Sequence, residues 1–491
     1  MSRRKQPALL KVITDDEVAL IHQASLRILW EVGVRFPNLE MLQKFEAAGA
    51  SVDHEKQVVR IPEDLVNRVL RKLPKDFSTA PADGGPPITL GDGNLQLSMD
   101  TTPDIVDVMT NTKRRGTAED SLKGIAVANA LENVRLATAY CLPSELVQAA
   151  GDVYCYELQW TYSRKAVASW IYSARSADYI LEMAKLVAGG DEELRKKKIL
   201  TYFAEPISPL QYAPHTLDIV LKFSKYGLPI YLGPMVTMGC TGPVTLAGTL
   251  ALHNAEMLHG LIMIYLCNPK QPVIYSCHCH STDLMKMVTQ YGAPEQALLA
   301  VGASQIAKRY GLAVCGNVML SDSNMLDYMA GFQEGATASY ALAAGWDMLG
   351  FMGFGTIGVI GNGVGHSLEK VIIQDEGLSY LKRILHSFDV NEDTLGFDAI
   401  KEAGIGGNFA AQEHTVRHMR DEIWRSGGMF RNYDFAQWSA AGATSITDRA
   451  HARLEEILRD SLPLQPVLPA RTVTDIRQLT REAIAELSSA S

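Results

Sequence analysis

Three consecutive segments, Ile199-Leu-Thr-Tyr-Phe-Ala204, His215-Thr-Leu-Asp-Ile-Val-Leu-Lys-Phe-Ser-Lys225 and Pro229-Ile-Tyr-Leu-Gly-Pro-Met235, set out the unit from which the chain is built. Two short runs rich in β-branched and aromatic residues bracket a run whose apolar residues recur at helical spacing, so strand, helix and strand follow in order. The unit recurs on both sides. Further strands are expected at 134–140, 166–173, 272–279, 313–318 and 348–354, with helices at 121–131, 177–188, 244–266, 295–310 and 325–344. Strands that alternate with helices imply a parallel sheet. Near-even spacing favours a closed (β/α)8 TIM barrel, an α/β fold, over an open doubly wound sheet. Seven strands can be counted. The eighth comes either from the alternating stretch 95–110 or from the segment after Gly404.

Outside this run the pattern is helical. Residues 1–94 carry helical spacing at 18–32, 38–48 and 63–73 and are expected to pack on a barrel of residues 95–365. A Pro/Gly linker spans 81–87, and 95–110 alternates like a hairpin with a turn at Asn111-Thr-Lys. Residues 366–491 form a second helical region that completes the barrel. The 491 residues are 47% hydrophobic with a net charge of -9, enough for a large core. No concentrated basic stripe marks a nucleic-acid surface. The N-terminus lacks the apolar run of a signal peptide, and the apolar stretch 258–267 is too short to cross a membrane. Seven scattered cysteines suit free thiols in a reducing cytoplasm.

In a parallel barrel, reactive groups sit at the carboxyl ends of strands. Glu205 follows the strand at 199–204, Asn317 ends the one at 313–318, and Asp100 lies in Ser98-Met-Asp-Thr-Thr-Pro103. Each is a catalytic candidate, and each alone is equally readable as a loop cap. Cys277-His-Cys-His280 offers metal-ligand chemistry. Strand alternation, however, puts His278 and His280 on one face and the cysteines on the other. A metal would need a third ligand from another strand, so the group is read as polar lining and no metal is assigned. Aromatic residues gather near strand ends: Tyr140, Trp170, Tyr172, Phe203, Tyr231, Tyr275, Phe351 and Phe354. Most belong in a core, but two or three facing the mouth would cage a quaternary ammonium group. Seven glycines crowd residues 350–365. Gly353-x-Gly355-x-x-Gly358 matches the dinucleotide fingerprint, but it comes at the last strand rather than in a first βαβ unit. It is instead a flexible rim loop or the floor of a substrate or cofactor site.

The blocks His366-Ser-Leu-Glu-Lys-Val-Ile-Ile-Gln-Asp-Glu376 and Gly404-Ile-Gly-Gly-Asn-Phe-Ala-Ala-Gln-Glu-His-Thr415 resemble the trimethylamine methyltransferase superfamily. The N-terminal helices, the stretch 95–110 and Arg449 to Leu458 agree in order, so the resemblance covers nearly the whole chain. It implies a (β/α)8 barrel that moves a methyl group from a methylated amine to the Co(I) centre of a separate corrinoid protein. One departure matters: methylamine-specific members carry pyrrolysine, and this chain holds only the twenty standard residues. Members without it resemble quaternary-amine demethylases, with glycine betaine the best-known substrate.

On that reading Asp100, Glu205, His278, His280 and Asn317 form the catalytic set. Tyr140, Phe203, Tyr231 and Phe354 cage the cation, and His366, like His278 or His280, holds a substrate carboxylate. Gly353, Gly355 and Gly358 let a corrin ring approach. The chain has no Asp-x-His-x-x-Gly, the corrinoid-holding signature, so no cofactor is held tightly and the cobalamin arrives on a partner. A cytoplasmic homo-oligomer is expected, without nucleic-acid or membrane partners. Two other readings stand beside this one: a zinc-dependent corrinoid methyltransferase using a thiol or alcohol, and a non-catalytic quaternary-ammonium binding protein.

Overall fold

A computed structural model describes residues 9–491 except 92–94, 147, 351–356, 362, 364, 490 and 491. Eight short strands form one parallel sheet: β1 (Gln96–Ser98), β2 (Val134–Ala137), β3 (Ala166–Val167), β4 (Tyr202–Ala204), β5 (Ile230–Leu232), β6 (Val273–Cys277), β7 (Val314–Gly316) and β8 (Met348–Leu349). Their order is β3-β2-β1-β8-β7-β6-β5-β4. The first strand thus pairs with the last, Gln96 opposite Met348 and Leu97 opposite Leu349. That pairing curls the sheet into a barrel-like wall. Among the described residues no hydrogen-bonded ladder joins β3 to β4.

Alternation along the strands produces two cores. Leu136, Ala166, Phe203, Tyr231, Ile274, Cys315 and Met348, from β2 to β8, meet in one apolar cluster on the concave side. An antiparallel hairpin, Phe77–Thr79 with Ile88–Leu90, adds Phe77, Ile88 and Leu90 to it. Phe77 lies 4.6 Å from the Tyr231 ring. The other, larger core lies between the sheet and its helices.

After each strand comes a helix: α1 (Ala118–Ala130), α2 (Gly151–Tyr162), α3 (Ala174–Ala188), α4 (Pro214–Ser224), α5 (Leu246–Cys267), α6 (Pro294–Arg309), α7 (Tyr328–Ala343) and α8 (Leu368–Leu385). Side chains cap several of them. Thr117 forms a capping box with Asp120, and Ser173, Thr245, Asp327 and Ser367 each accept a backbone N–H of the first turn. By length and composition α5 could cross a membrane, yet 83% of its most apolar window is buried inside the protein. It is a core helix.

Of the two origins expected for the eighth strand, the 95–110 region supplies it as β1, and the segment after Gly404 does not. One expectation needs correction. The hairpin expected within 95–110 lies further on, at Asp104–Asp107 with Thr112–Arg115. It pairs with Gly365–His366, which brings the end of the glycine-rich stretch beside the loop after β1.

Short helices follow α8: α9 (Glu392–Leu395), α10 (Phe397–Ala403), α11 (Glu413–Glu422) and α12 (Phe435–Ala440). None has a buried residue. Two longer helices, α13 (Ile446–Ser461) and α14 (Ala470–Ser489), return to the barrel wall.

Candidate active site

The carboxyl ends of β3, β4 and β5 surround a cavity of ≈ 520 Å³. Trp170, Tyr172 and Phe203 supply aromatic walls, Met235 an apolar side, and Glu205 a carboxylate. Trp170 and Phe203 meet edge to face, ring centroids 5.5 Å apart at 88°, so two ring surfaces form a corner. Behind that corner lies His278, 5.8 Å from Phe203. Such a corner beside a carboxylate suits a cation with a methylated surface.

Glu205 is partly buried, and desolvation raises its carboxyl to about 7. Among the described residues no neighbouring cation offsets this shift. A positive ligand would do so, since it favours the ionised form. The remaining polar lining comprises the hydroxyls of Ser208, Thr216, Thr237 and Thr241 and the imidazole of His215. No lining residue is Lys or Arg.

Two buried acids hold these walls. Asp152 on α2 accepts the Tyr172 N–H at 2.8 Å, and burial raises it to about 6. Glu256 on α5 accepts the Ser208 hydroxyl at 2.6 Å and the Leu210 N–H at 2.7 Å, fixing the loop after β4. Neither was singled out in the sequence, because an acid inside an apolar helix carries no pattern beyond its own presence.

The expected site residues separate into groups. Phe203 and Glu205 line the cavity. His278, His280 and Asn317 lie together behind it, all buried. Gln296 Nε2 donates to the Asn317 carbonyl at 2.7 Å and lies 3.2 Å from His280 Nδ1. Burial pushes His278 down to about 3 and His280 to about 4, so both imidazoles are neutral. A cationic hold on a substrate carboxylate is therefore not available from them. His366 is fully buried, its imidazole lowered to about 3 by burial, and it packs against Tyr140 with ring centroids 4.6 Å apart. That pair does not border the cavity. Tyr231 lies in the concave core against Phe77. Asp100 sits buried at the end of β1 and accepts the Thr101 N–H. Gly353, Gly355 and Phe354 lie outside the described residues.

Gly358 has a local reason of its own. Its φ is +85°, and a Cβ there would stand 2.1 Å from the His366 ring. Its N–H donates to Gln374 at 2.7 Å. Gln374 also donates to the Met319 carbonyl and to Glu334, and the buried Lys370 ammonium donates to the Val359 carbonyl while paired with Glu334 at 2.6 Å. One face of α8 thus grips the loops after β7 and β8 together.

His253 on α5 lies with Cys277 and Cys279, the ligand atoms within 4.8 Å of one another. This is the one His/Cys/acid group of metal-ligand type among the described residues. It is on the helix side of β6, away from the cavity, and it excludes His278 and His280.

A parallel, barrel-like sheet with a chemically furnished cavity at the strand carboxyl ends is the architecture of barrel enzymes. Residues 2–486 match the trimethylamine methyltransferase (MTTB) family. The chain is 27% identical over 472 residues to trimethylamine methyltransferase MttB of Desulfitobacterium hafniense (strain DSM 10664 / DCB-2), covering 96% of this chain and 93% of that protein. It is 26% identical over 475 residues to glycine betaine methyltransferase of D. hafniense (strain Y51), covering 96% and 97%. A solved structure, the monomethylamine methyltransferase of Methanosarcina barkeri, aligns at 12% identity over 92% of this chain and 96% of that one, with a TM-score of 0.48; so low a score adds nothing to the assignment. The chain belongs to the trimethylamine methyltransferase family and is a methyltransferase.

Proposed function

We propose that this methyltransferase demethylates a quaternary amine and delivers the methyl group to the corrinoid of a separate protein. The observation that carries the reading is the aromatic corner of Trp170 and Phe203 with Tyr172 and Glu205 in one cavity. Reduced corrinoid, when bound beside the cavity, supplies the nucleophile. The C–N bond breaks with its electron pair left on nitrogen, and a neutral tertiary amine departs. A quaternary nitrogen is already positive and needs no prior activation, which fits a chain without pyrrolysine. The residues of this chain bind and orient the cation and keep water from the reacting methyl.

Support for an incoming partner comes from the rim. Loops after β5, β6 and β7 and the first turn of α7 present Val244, Met285, Met287, Met325 and Tyr328 to solvent, with Met285 94% and Tyr328 84% exposed. Apolar side chains concentrated on these carboxyl-end loops suit docking of another protein. We read the sheet as a barrel closed across β3 and β4 by side-chain packing, because Trp170 and Phe203 meet across that seam. The enzyme is taken to act in the cytoplasm as a homo-oligomer.

Glycine betaine heads the panel of donors. With no cation in the lining, its carboxylate would turn toward His215 and the threonine hydroxyls. The test is incubation with reduced cobalamin and a set of methylated amines, following the demethylated product by mass spectrometry. Choline and tetramethylammonium are the arms without a carboxylate. A quaternary donor should react, and trimethylamine should be at least about tenfold slower, a barrier difference of about 1.4 kcal/mol. Equal rates with trimethylamine would remove the argument from the missing pyrrolysine.

A further inference from the structure

The run Cys277-His-Cys-His280 divides between the two faces of its strand. Tyr275, Cys277 and Cys279 belong to the core between the sheet and its helices. A metal on that face needs a ligand from another element, and α5 brings one. His253 is fully buried there, its ring 5.7 Å from the Tyr275 ring at 78°. Its ligand atom and the two sulfurs all lie within 4.8 Å of one another. A zinc ion bonded at about 2.3 Å to each sulfur and about 2.0 Å to a ring nitrogen holds these atoms about 3.5 to 3.8 Å apart. Small side-chain rotations close the difference.

Other polar groups buried on α5 have hydrogen-bond partners. Asn254 bonds Tyr310, Glu256 bonds Ser208, and His259 meets the Tyr212 hydroxyl. His253 differs. Among the described residues neither of its ring nitrogens makes a hydrogen bond of ordinary geometry, although the carbonyls of Pro234 and Ser276 are close by. Burial lowers it to about 4, so the imidazole is neutral and one nitrogen keeps its lone pair. A histidine that binds metal ordinarily gives its other N–H to a carboxylate, water or backbone carbonyl, and two carbonyls are at hand. The cysteines are free thiols. The Cys279 thiol donates to the Cys277 sulfur, which favours the thiolate at Cys277.

We propose that His253, Cys277 and Cys279 hold a structural zinc ion that fastens α5 to the end of β6. Two thiolates cancel the charge of Zn2+, so the cluster is neutral inside the core, whereas Cu+ on the same ligands would leave a buried negative charge. Zinc takes the place of the thiol protons, which pass to solvent. Among the described residues no fourth Cys, His or acid joins the group, so a water or a backbone carbonyl completes the tetrahedron. The ion lies on the helix side of β6, away from the cavity. It fixes the stretch of backbone whose other face carries His278 and His280.

The test is elemental analysis of the full chain, expressed with added zinc and desalted. About one zinc per chain should remain. Zinc X-ray absorption should show two sulfurs at about 2.3 Å together with one imidazole. Cys277→Ser combined with Cys279→Ser should weaken zinc more than about 100-fold, beyond the loss of an outer-shell partner, with circular dichroism unchanged. His253→Gln should act in the same direction. Cys315→Ser, a buried cysteine of the concave core, should leave the zinc content as it is. A zinc-free wild type overturns the proposal, and so do folded variants that keep their zinc. Should the variants fail to fold, the absorption spectrum of the wild type decides. Two sulfurs and one imidazole support the site, and a shell of nitrogen and oxygen alone overturns it. None of these readouts involves methyl transfer, so they stand apart from the proposed reaction.

Discussion

Replacing Glu205 with Gln separates binding from chemistry at the cavity. The carboxylate faces a space where a cationic nitrogen would sit about 5 Å away, and at an effective dielectric constant of about 20 the attraction is about 3 kcal/mol. One side of the cavity is open to solvent, which reduces this to about 1.5 kcal/mol, or about tenfold in Kd. Glu205→Gln should therefore weaken a quaternary ammonium ligand about tenfold in calorimetry. The turnover rate should move differently. The positive charge disappears as the methyl group leaves, so the carboxylate stabilises the bound cation more than the transition state. The variant should show a KM raised about tenfold with kcat unchanged or slightly higher. The pH dependence follows from the raised carboxyl, about 7 in the folded protein. Only the ionised form attracts the cation, so affinity should increase as pH rises through about 7 and level off above it. Stability runs the opposite way. A carboxyl raised on folding stabilises fully below its unfolded value of 4.5, and that contribution is lost as pH climbs through about 7. The Gln variant should lose both trends. A kcat that collapses at constant KM, or a Gln variant with the same pH profile, would refute this role for Glu205.

Trp170→Ala should weaken the same ligand about tenfold, the scale of a partly desolvated cation–π contact of about 1.4 kcal/mol, with little change in Tm; unchanged affinity would take the aromatic corner out of the site. Gly358→Ala forces a side chain to φ +85° against the His366 ring, and should cost about 2 kcal/mol in urea unfolding. Wild-type stability in that variant would mean the tight contact is easily relieved. Glu334→Gln strips the Lys370 ammonium, 1% exposed, of its counter-ion, and should destabilise by about 3 kcal/mol. A midpoint within error of wild type would show that water or the Val359 carbonyl satisfies Lys370 unaided.

Alternation in the sequence identified seven of the eight strands because each central strand is a short apolar run between turn signals. It missed α2 for a related reason: ten of its twelve residues are buried, so the helix has no polar face and no period to read. β1 was ambiguous because a three-residue strand leads directly into a separate hairpin. At the site the same limitation acts along the barrel axis. Strand position put Phe203 and Tyr231 in one candidate cage, and both lie on the concave side. It could not tell their height. Phe203 reaches the cavity, while Tyr231 meets the hairpin plug at Phe77, and nothing in two similar Tyr/Phe-containing strands distinguishes the levels. Loop residues are harder still. His366 and Gly358 looked like substrate and corrin contacts, being polar or flexible beside a reactive end, yet the structure spends the glycine on making room for the histidine. The glycine cluster therefore divides: at Gly358 the missing side chain serves internal packing, and close approach of a corrin must be argued from other glycines of the loop. Asp152 and Glu256 complete the contrast. Their effect on the cavity passes through the Tyr172 and Leu210 backbone amides, and such a link exists only once helix and loop are folded together.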